Sequence, residues 1–227
     1  ILAHRELSGR LPRIEGGHTY LGPEWNDAVI ARQLQHLRIP YVVLEDAASE
    51  TAARIADGQI ICWFQGRMEF GPRALGGRSI LADPRRLPLK ARLNAMKSRQ
   101  SWRPFGPSIL SGHQSTWFTE DWDSRFMLFA VPVRESMRGK VPVVVHDDGS
   151  TRPQVVHKEH APRYHAMITA FLERTGVPMV VNTSFNTGGE PIVMTPRHAL
   201  KSFARLGADC LVLGNCLVTQ ADLRARR

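Results

Sequence analysis

The sequence lacks any apolar run close to the ~20 residues that a membrane-spanning helix needs. It has only three cysteines, Cys62, Cys210 and Cys216, and none has the CxxC spacing of zinc or redox motifs. Cys62 and Cys210 lie in apolar, strand-like runs. The opening residues, ILAHRELSGR, interleave charges and do not form a signal peptide. We therefore expect buried, reduced thiols in a cytoplasmic protein without a membrane segment.

Acidic residues are scarce in one stretch. Between Arg67 and Arg103 there are ten cations and two acids, Glu69 and Asp83, so these 37 residues carry +8 of the chain's net charge of +9. The other 190 residues carry 20 cations and 19 acids and are nearly neutral. Charge concentrated among glycines and prolines, which fix backbone turns, favours a polyanion site. A solvated helix face is the alternative.

The 227 residues include 43% hydrophobic residues, enough for one large domain or a domain with an appendage. Apolar periodicity and cap residues predict helices over residues 26–38, about 48–56 and 162–175 and in PRHALKSFARLG. Strands are predicted in YVVLE, QIICWFQ, SILAD and PMVVN, over 126–133 and 141–146, and in DCLVLGNCLV. Residues 147–150 read as a hairpin turn, with 154–156 as the returning strand. The order of elements lacks a regular βαβ rhythm and favours a mixed-sheet α/β or α+β domain over a Rossmann fold.

The segment GRMEFGPRALGGRS places Arg67, Arg73 and Arg78 among four glycines. Glycine lets a backbone approach a phosphate closely, and arginine offers a planar fork of donors that matches phosphate or carboxylate oxygens. The pattern is neither GxxxxGK[ST] nor GxGxxG. A glycine-rich surface turn is the alternative.

Two further segments carry candidate ligands. Lys97-Ser98-Arg99 precedes Trp102-Arg103-Pro104-Phe105, in which the two aromatic rings are able to stack on a base, although burial in the core is the expected role of each. The segment NTSFN, residues 182–186, follows a buried strand, where small polar side chains often line a ligand crevice. An Asx or Ser turn is the competing interpretation.

Together these segments resemble a known family. Lys97-x-Arg99 and Ser184-x-Asn186 resemble the KxR…SxN signature of YrdC-like domains, which bind ATP and make carbamoyl-type adenylates. The phrases GRMEFGPRALGGRSILADPR, RPFGPSIL, DGSTRPQVV and NTSFNTGGEPIV resemble the C-terminal domain of O-carbamoyltransferases of nodulation-factor and antibiotic biosynthesis. The resemblance covers about residues 20–220. It implies a YrdC-like domain over residues 26–227, with a twisted mixed sheet flanked by helices, and makes residues 1–25 a linker and the tail of an N-terminal domain.

The resemblance also implies roles for individual residues. Two cations would bind phosphoryl oxygens and one hydroxyl would contact the reacting group, and these catalytic candidates are Lys97, Arg103 and Ser184. The substrate- and nucleotide-binding candidates are Arg73, Arg99, Arg152, Asn182 and Asn186. Two departures from the family phrases are mild: Gly106 replaces a usual alanine, and Ser150 with Pro153 alters the DGTxRxQ phrase.

The implied substrates are ATP and carbamoyl phosphate, with Mg²⁺ carried by the nucleotide. The implied partners are an N-terminal transfer domain, which holds a metal through HxxxH, and a small-molecule acceptor such as an antibiotic or nodulation factor. No HxxxH occurs here, and His157-x-x-His160 lacks the companions of a metal site. The alternatives are an enzyme similar to threonylcarbamoyl-adenylate synthase and a nucleic-acid-binding module. A compact pocket is expected rather than a nucleic-acid or membrane surface.

Overall fold

The computed structural model describes residues 6–9 and 17–225. Residues 1–5 and 10–16 of the predicted connector over residues 1–25 therefore lie outside the described residues. Residues 17–225 form eight helices. They are α1 Asp27–His36, α2 Ala47–Ala56, α3 Pro88–Met96, α4 Gln114–Trp117, α5 Glu135–Arg138, α6 Pro162–Thr175, α7 Pro196–Leu206 and α8 Gln220–Arg224.

The strands are β1 Val42–Val43, β2 Ile61–Phe64, β3 Arg78–Ala82, β4 Gly106–Leu110, β5 Val131–Pro132, β6 Ser150–Thr151, β7 Gln154–Val156, β8 Met179–Ser184, β9 Cys210–Leu213 and β10 Cys216–Thr219. Eight form one sheet in the order β1-β10-β9-β2-β3-β8-β4-β7, and β5 pairs with β6. The β2–β9 and β4–β7 pairs are parallel and the other pairs are antiparallel. The predicted mixed sheet is confirmed.

Helix boundaries follow local sequence signals. The Asn26 side chain accepts a hydrogen bond from the backbone nitrogen of Val29 and caps α1. Asp46 caps α2 in the same way. Gly176, at φ 72°, ends α6 in the left-handed conformation that favours glycine. Cap hydrogen bonds and the left-handed glycine therefore account locally for where these helices begin or end.

The core lies on both sides of β2, whose four residues are all buried because strands cover its edges and helices its faces. Helices α2 and α6 pack against each other, and α6 also contacts β8 and β4. Helix α7 packs against β9 and β2. Cys62, Cys210 and Cys216 are buried free thiols within this core.

The valine-rich segments around residue 140 were predicted incorrectly. Of residues 126–133 only Val131–Pro132 is a strand, and residues 141–146 form turns. Strand β6 pairs with β5, and β7 pairs with β4, so the hairpin predicted between 141–146 and 154–156 does not exist. Val141, Val143 and Val144 are nevertheless buried, so their apolar pattern reflects packing rather than strand alternation.

Residues 17–25 of the predicted connector lie along the glycine-rich segment. The Gly22 backbone nitrogen donates to Met68, and the Phe70 nitrogen donates to Thr19. Tyr20 Oη donates to the Leu75 carbonyl oxygen at 2.7 Å. In the portion of the chain that is described, no helix combines the length and apolar character needed to cross a membrane.

Candidate active site

An open cavity of about 620 Å³ lies where the loops after β2 and α3 meet the start of β4 and the end of β8. It is lined by Pro72, Arg73, Ala74, Arg99, Gln100, Trp102, Arg103, Pro104, Phe105, Gly106, Met127, Arg152, Asn182, Thr183 and Ser184. Six of the eight predicted site residues are in this list. Lys97 and Asn186 lie next to it, in contact with Ser184. The structure therefore brings the whole predicted set together.

Three arginines around the cavity have unused guanidinium groups. Within the described residues, no side-chain hydrogen bond or ion pair engages Arg73, Arg103 or Arg152, and Arg152 Nε is buried without a partner. Burial, followed by the charge of Arg73, lowers the pKa of Arg152. Among the described residues, no carboxylate lines the cavity. Desolvated like charges without a counter-ion are unfavourable, so the arrangement favours an anionic ligand.

Lys97 lies beneath this cavity and is buried. Its Nζ donates to the Ser184 carbonyl oxygen at 2.5 Å and to Asn186 Oδ1 at 2.6 Å. It also lies 3.1 Å from the Asn186 carbonyl oxygen and 3.2 Å from Ser184 Oγ. Ser184 Oγ donates to Asn186 Oδ1 at 2.7 Å. The KxR and SxN segments therefore meet through one ammonium group.

Lys97 and Arg99 point in different directions. Ser98, between them, has φ 49°, a left-handed conformation just after α3 ends. Arg99 turns toward the cavity and stacks on the Phe105 ring, with its guanidinium carbon 4.2 Å from the ring centroid. Phe105 is buried, as predicted, whereas Trp102 is 67% exposed and lines the cavity. Assigning Trp102 to the core was wrong, because the turn between α3 and β4 leaves its ring outside.

Asn182 is fixed in orientation. Its Nδ2 donates to the Ala74 carbonyl oxygen at 3.0 Å, to Ser108 Oγ at 2.9 Å and to Gln154 Oε1 at 3.0 Å. Gln154 is itself oriented by donating to the Leu75 carbonyl oxygen. The amide nitrogen of Asn182 is thus committed to protein acceptors, and its Oδ1 remains buried without a partner.

Glu69 is an organising residue that the sequence argument did not identify. Its side chain is buried, and Oε1 accepts hydrogen bonds from the backbone nitrogens of Leu75, Gly77 and Arg78 at 2.6, 3.1 and 3.2 Å. These bonds close the base of the loop that carries Arg73. In the sequence, the one indication of this role is that Glu69 is one of only two acids between Arg67 and Arg103.

Arg78 does not line the cavity, contrary to the reading of the glycine–arginine segment as one anion site. It is fully buried, stacks 3.6 Å above the Phe64 ring centroid and donates to the carbonyl oxygens of Gln65 and Gly66. Gly76, at φ 103°, is required by close packing, because a Cβ there would lie 2.1 Å from the Tyr164 ring. This part of the segment is therefore structural.

Other cations of the basic stretch have internal partners. Arg85 forms a bidentate pair with the buried Asp83, and Arg86 contacts the same carboxylate. Arg92 pairs with Asp209 at 2.8 Å. The net charge therefore does not translate into a continuous cationic surface.

The histidines among the described residues do not form a metal cluster. His157 Nε2 contacts Asp123 Oδ1 at 2.6 Å, and this interaction together with Arg125 lowers the pKa of Asp123 against the opposing effect of burial. Across residues 6–9 and 17–225, no group of three His, Cys, Asp or Glu side chains is arranged to bind a metal ion.

The chain was compared with known proteins. Residues 52–220 match the family model described as carbamoyltransferase C-terminus. The chain is 43% identical to nodulation protein NolNO of Sinorhizobium fredii over 96% of its own length and 33% of the relative's. It is 34% identical to the 3'-hydroxymethylcephem-O-carbamoyltransferase of Amycolatopsis lactamdurans, over 76% of this chain and 33% of that protein. The chain thus spans about a third of these relatives.

Solved structures with low sequence identity share the fold. Full-length HypF in its phosphate- and nucleotide-bound form aligns with a TM-score of 0.53 and 16% identity, over 77% of this chain and 22% of HypF. Sua5 of P. abyssi, complexed with L-threonine, aligns with a TM-score of 0.52 and 17% identity, over 74% of this chain and 46% of Sua5. The predicted YrdC-like fold is confirmed.

Proposed function

Because the chain belongs to the carbamoyltransferase C-terminus family, we propose that it forms carbamoyl adenylate from ATP and carbamoyl phosphate. The carbamoyl group then passes to a hydroxyl of a small-molecule acceptor, an antibiotic or nodulation-factor type of compound. This transfer takes place on a metal-binding N-terminal domain of a longer protein.

The observation that carries the proposal is that the guanidiniums of Arg73, Arg103 and Arg152 have no partner among the described residues and surround a cavity that no described carboxylate lines. Arginine is suited to phosphate because its planar fork donates two hydrogen bonds to two oxygens. A cavity of about 620 Å³ is within the ordinary range for small-molecule and cofactor sites. Several convergent forks suit a triphosphate better than a single carboxylate.

The chemistry requires charge stabilisation more than a protein base. Water cleaves carbamoyl phosphate to carbamate and inorganic phosphate. A carbamate oxygen then attacks the α-phosphorus of ATP, the bond to the β-phosphate oxygen breaks, and pyrophosphate leaves. Negative charge develops on the phosphoryl oxygens in this step, and preorganised arginines stabilise it. Lys97 shapes the floor of the site through Ser184 and Asn186.

Trp102 supplies a surface for the nucleobase. Its ring is 67% exposed, lines the same cavity and is adjacent to Arg103 in sequence. Base–aromatic stacking contributes about 1–3 kcal/mol and does not depend on the identity of the base. This placement puts the base at the rim and the phosphates among the arginines.

Mg²⁺ enters with the nucleotide. Mg²⁺ prefers oxygen ligands, usually one or two carboxylates plus phosphates, and no carboxylate of the described residues lines the cavity. Ser184 Oγ lines the cavity and donates to Asn186 Oδ1, and Lys97 already contacts both oxygens. The ion would therefore be held by the phosphate oxygens of the nucleotide and by water, and it would neutralise charge on the leaving pyrophosphate.

Pyrophosphate release tests the proposal. The chain is incubated with ATP and Mg²⁺, with carbamoyl phosphate present or omitted, and the product is quantified with a coupled enzyme assay. We expect release that depends on carbamoyl phosphate and is lost in Arg103→Ala, but not in Lys140→Ala, which removes an exposed cation outside the cavity. Release that ignores carbamoyl phosphate would contradict the assigned reaction.

A further inference from the structure

Asn94, in the last turns of α3, is a fully buried polar side chain outside the proposed phosphate-binding set. Both ends of its amide are used by the loop that follows. Oδ1 accepts from Arg99 Nε at 2.7 Å. Nδ2 donates to the carbonyl oxygens of Ser101 at 2.9 Å and Arg103 at 3.2 Å.

The hydrogen bond to Asn94 Oδ1 holds the Arg99 guanidinium on the side that faces α3. The same group stacks on the buried ring of Phe105 and lies 3.5 Å from the Pro104 carbonyl oxygen. Burial, followed by the charge of Arg103, lowers the pKa of Arg99 to about 10. Two neighbouring cations repel each other, so their spacing needs a structural cause.

The amide nitrogen of Asn94 provides a structural cause for the spacing of Arg99 and Arg103, because it binds the loop that carries Arg103. By binding the carbonyl oxygens of Ser101 and Arg103, it draws the loop back over the end of α3. The Arg103 backbone nitrogen also donates to Gln100, closing the turn from which the Arg103 side chain projects. The Asn94 side chain therefore ties both Arg99 and the backbone of Arg103 to the end of α3.

We propose that Asn94 is a positioning residue that sets the separation and direction of Arg99 and Arg103 before the anion binds. Preorganised donors avoid the cost of ordering long side chains at binding. The inference rests on the proposed function, since it assumes that the cavity binds polyphosphate. It adds a residue that has no contact with the ligand itself.

A double-mutant cycle tests this role. Binding of ATP and of inorganic tripolyphosphate is measured by calorimetry for the parent, Asn94→Ala, Arg99→Ala and the double variant. We expect Asn94→Ala to weaken both ligands about tenfold in the parent and clearly less in the Arg99→Ala background. The effect through Arg99 is then already lost and only the effect through Arg103 remains, because coupled residues are not additive. The matched control is Leu93→Val, which perturbs the neighbouring buried residue of α3 but none of these hydrogen bonds.

Each outcome bears on a separate claim. Additive losses, or an equal loss in Leu93→Val at matched melting temperature, would overturn the positioning role and leave the polyphosphate site standing. Failure of the folded parent to bind either ligand would reject the polyphosphate site itself, and the positioning role with it. If Asn94→Ala does not fold, Asn94→Leu, which is similar in size, carries no charge and makes none of these hydrogen bonds, enters the same cycle with the same expected loss.

Discussion

The Nζ atom of Lys97 lies 2.5 Å from the carbonyl oxygen of Ser184, a residue 87 positions further along the chain. The same ammonium contacts Asn186 Oδ1 at 2.6 Å. One cation thus joins the end of α3 to the loop after β8. If a nucleotide phosphate binds beside this cluster, as proposed, it meets an ammonium already bound to protein oxygens, and we expect binding to depend on the protonation of Lys97.

Affinity for ATP should therefore depend on pH through Lys97. Burial, with a smaller effect from Arg99, lowers the pKa of Lys97 from its ordinary 10.5 to about 7. A bound anion favours the protonated form, so affinity should fall as the pH rises from 6 to 9 through this pKa. Calorimetry across this range on the parent and Lys97→Met separates the effect from the titration of ATP itself. If the ATP affinities of the parent and of Lys97→Met change with pH in the same way, the protonation of Lys97 is not coupled to binding.

Arg103→Ala and Arg152→Ala should each weaken ATP binding by about 1.5–3 kcal/mol, the range for hydrogen bonds to charged groups. Lys140→Ala, an exposed cation outside the cavity, should leave affinity unchanged. Because the lost contacts are ionic, the parent's affinity should also fall as salt rises. Equal losses in all three variants would indicate a diffuse cationic surface instead of a pocket.

Arg85→Ala should reduce stability without reducing ATP affinity per folded molecule. Arg85 forms a bidentate pair with Asp83, whose side chain is fully buried. Removing it leaves a buried carboxylate with a weaker partner, at a cost of about 2 kcal/mol for a site open to solvent on one side. Arg86→Ala loses a 3.4 Å contact with Asp83 and an exposed hydrogen bond to the Ala56 carbonyl oxygen, but it keeps the bidentate pair, so it should cost less in urea denaturation. Equal small effects would show that Asp83 does not depend on Arg85.

Sequence patterns predicted which residues lie together at the cavity because these residues are concentrated in short segments. The glycine-rich loop, the KxR segment and the SxN segment converge as expected, since they flank buried strands β2, β4 and β8. The role of Glu69 was missed, because a buried carboxylate that accepts backbone hydrogen bonds leaves no spacing signature. The error over residues 141–146 arose because buried valines in turns have the same composition as a strand.

Trp102 should report nucleotide binding directly. Of the five tryptophans, it is the one that lines the arginine cavity in the described structure. A stacked base should quench its fluorescence, and Trp102→Phe should lose the ATP-dependent quench while retaining most of the affinity. Trp102→Ala should cost about 1–3 kcal/mol with ATP and nothing with inorganic tripolyphosphate. An undiminished quench in Trp102→Phe would place the base elsewhere, and the exposed Trp122 provides the matched control.

Ser184→Ala should preserve the fold and most of the ATP affinity but slow carbamoyl-phosphate-dependent pyrophosphate release. The hydroxyl donates to Asn186 Oδ1, lies 3.2 Å from Lys97 Nζ and lines the cavity. The backbone carbonyl oxygen of Ser184, which accepts the shorter Lys97 contact, survives the substitution. Hydroxyl contacts that strengthen as charge develops lower the turnover rate when they are lost, rather than the ground-state affinity. A variant that turns over normally would limit Ser184 to orienting Asn186, and one that loses ATP affinity in proportion to its rate would place the hydroxyl in ground-state binding instead.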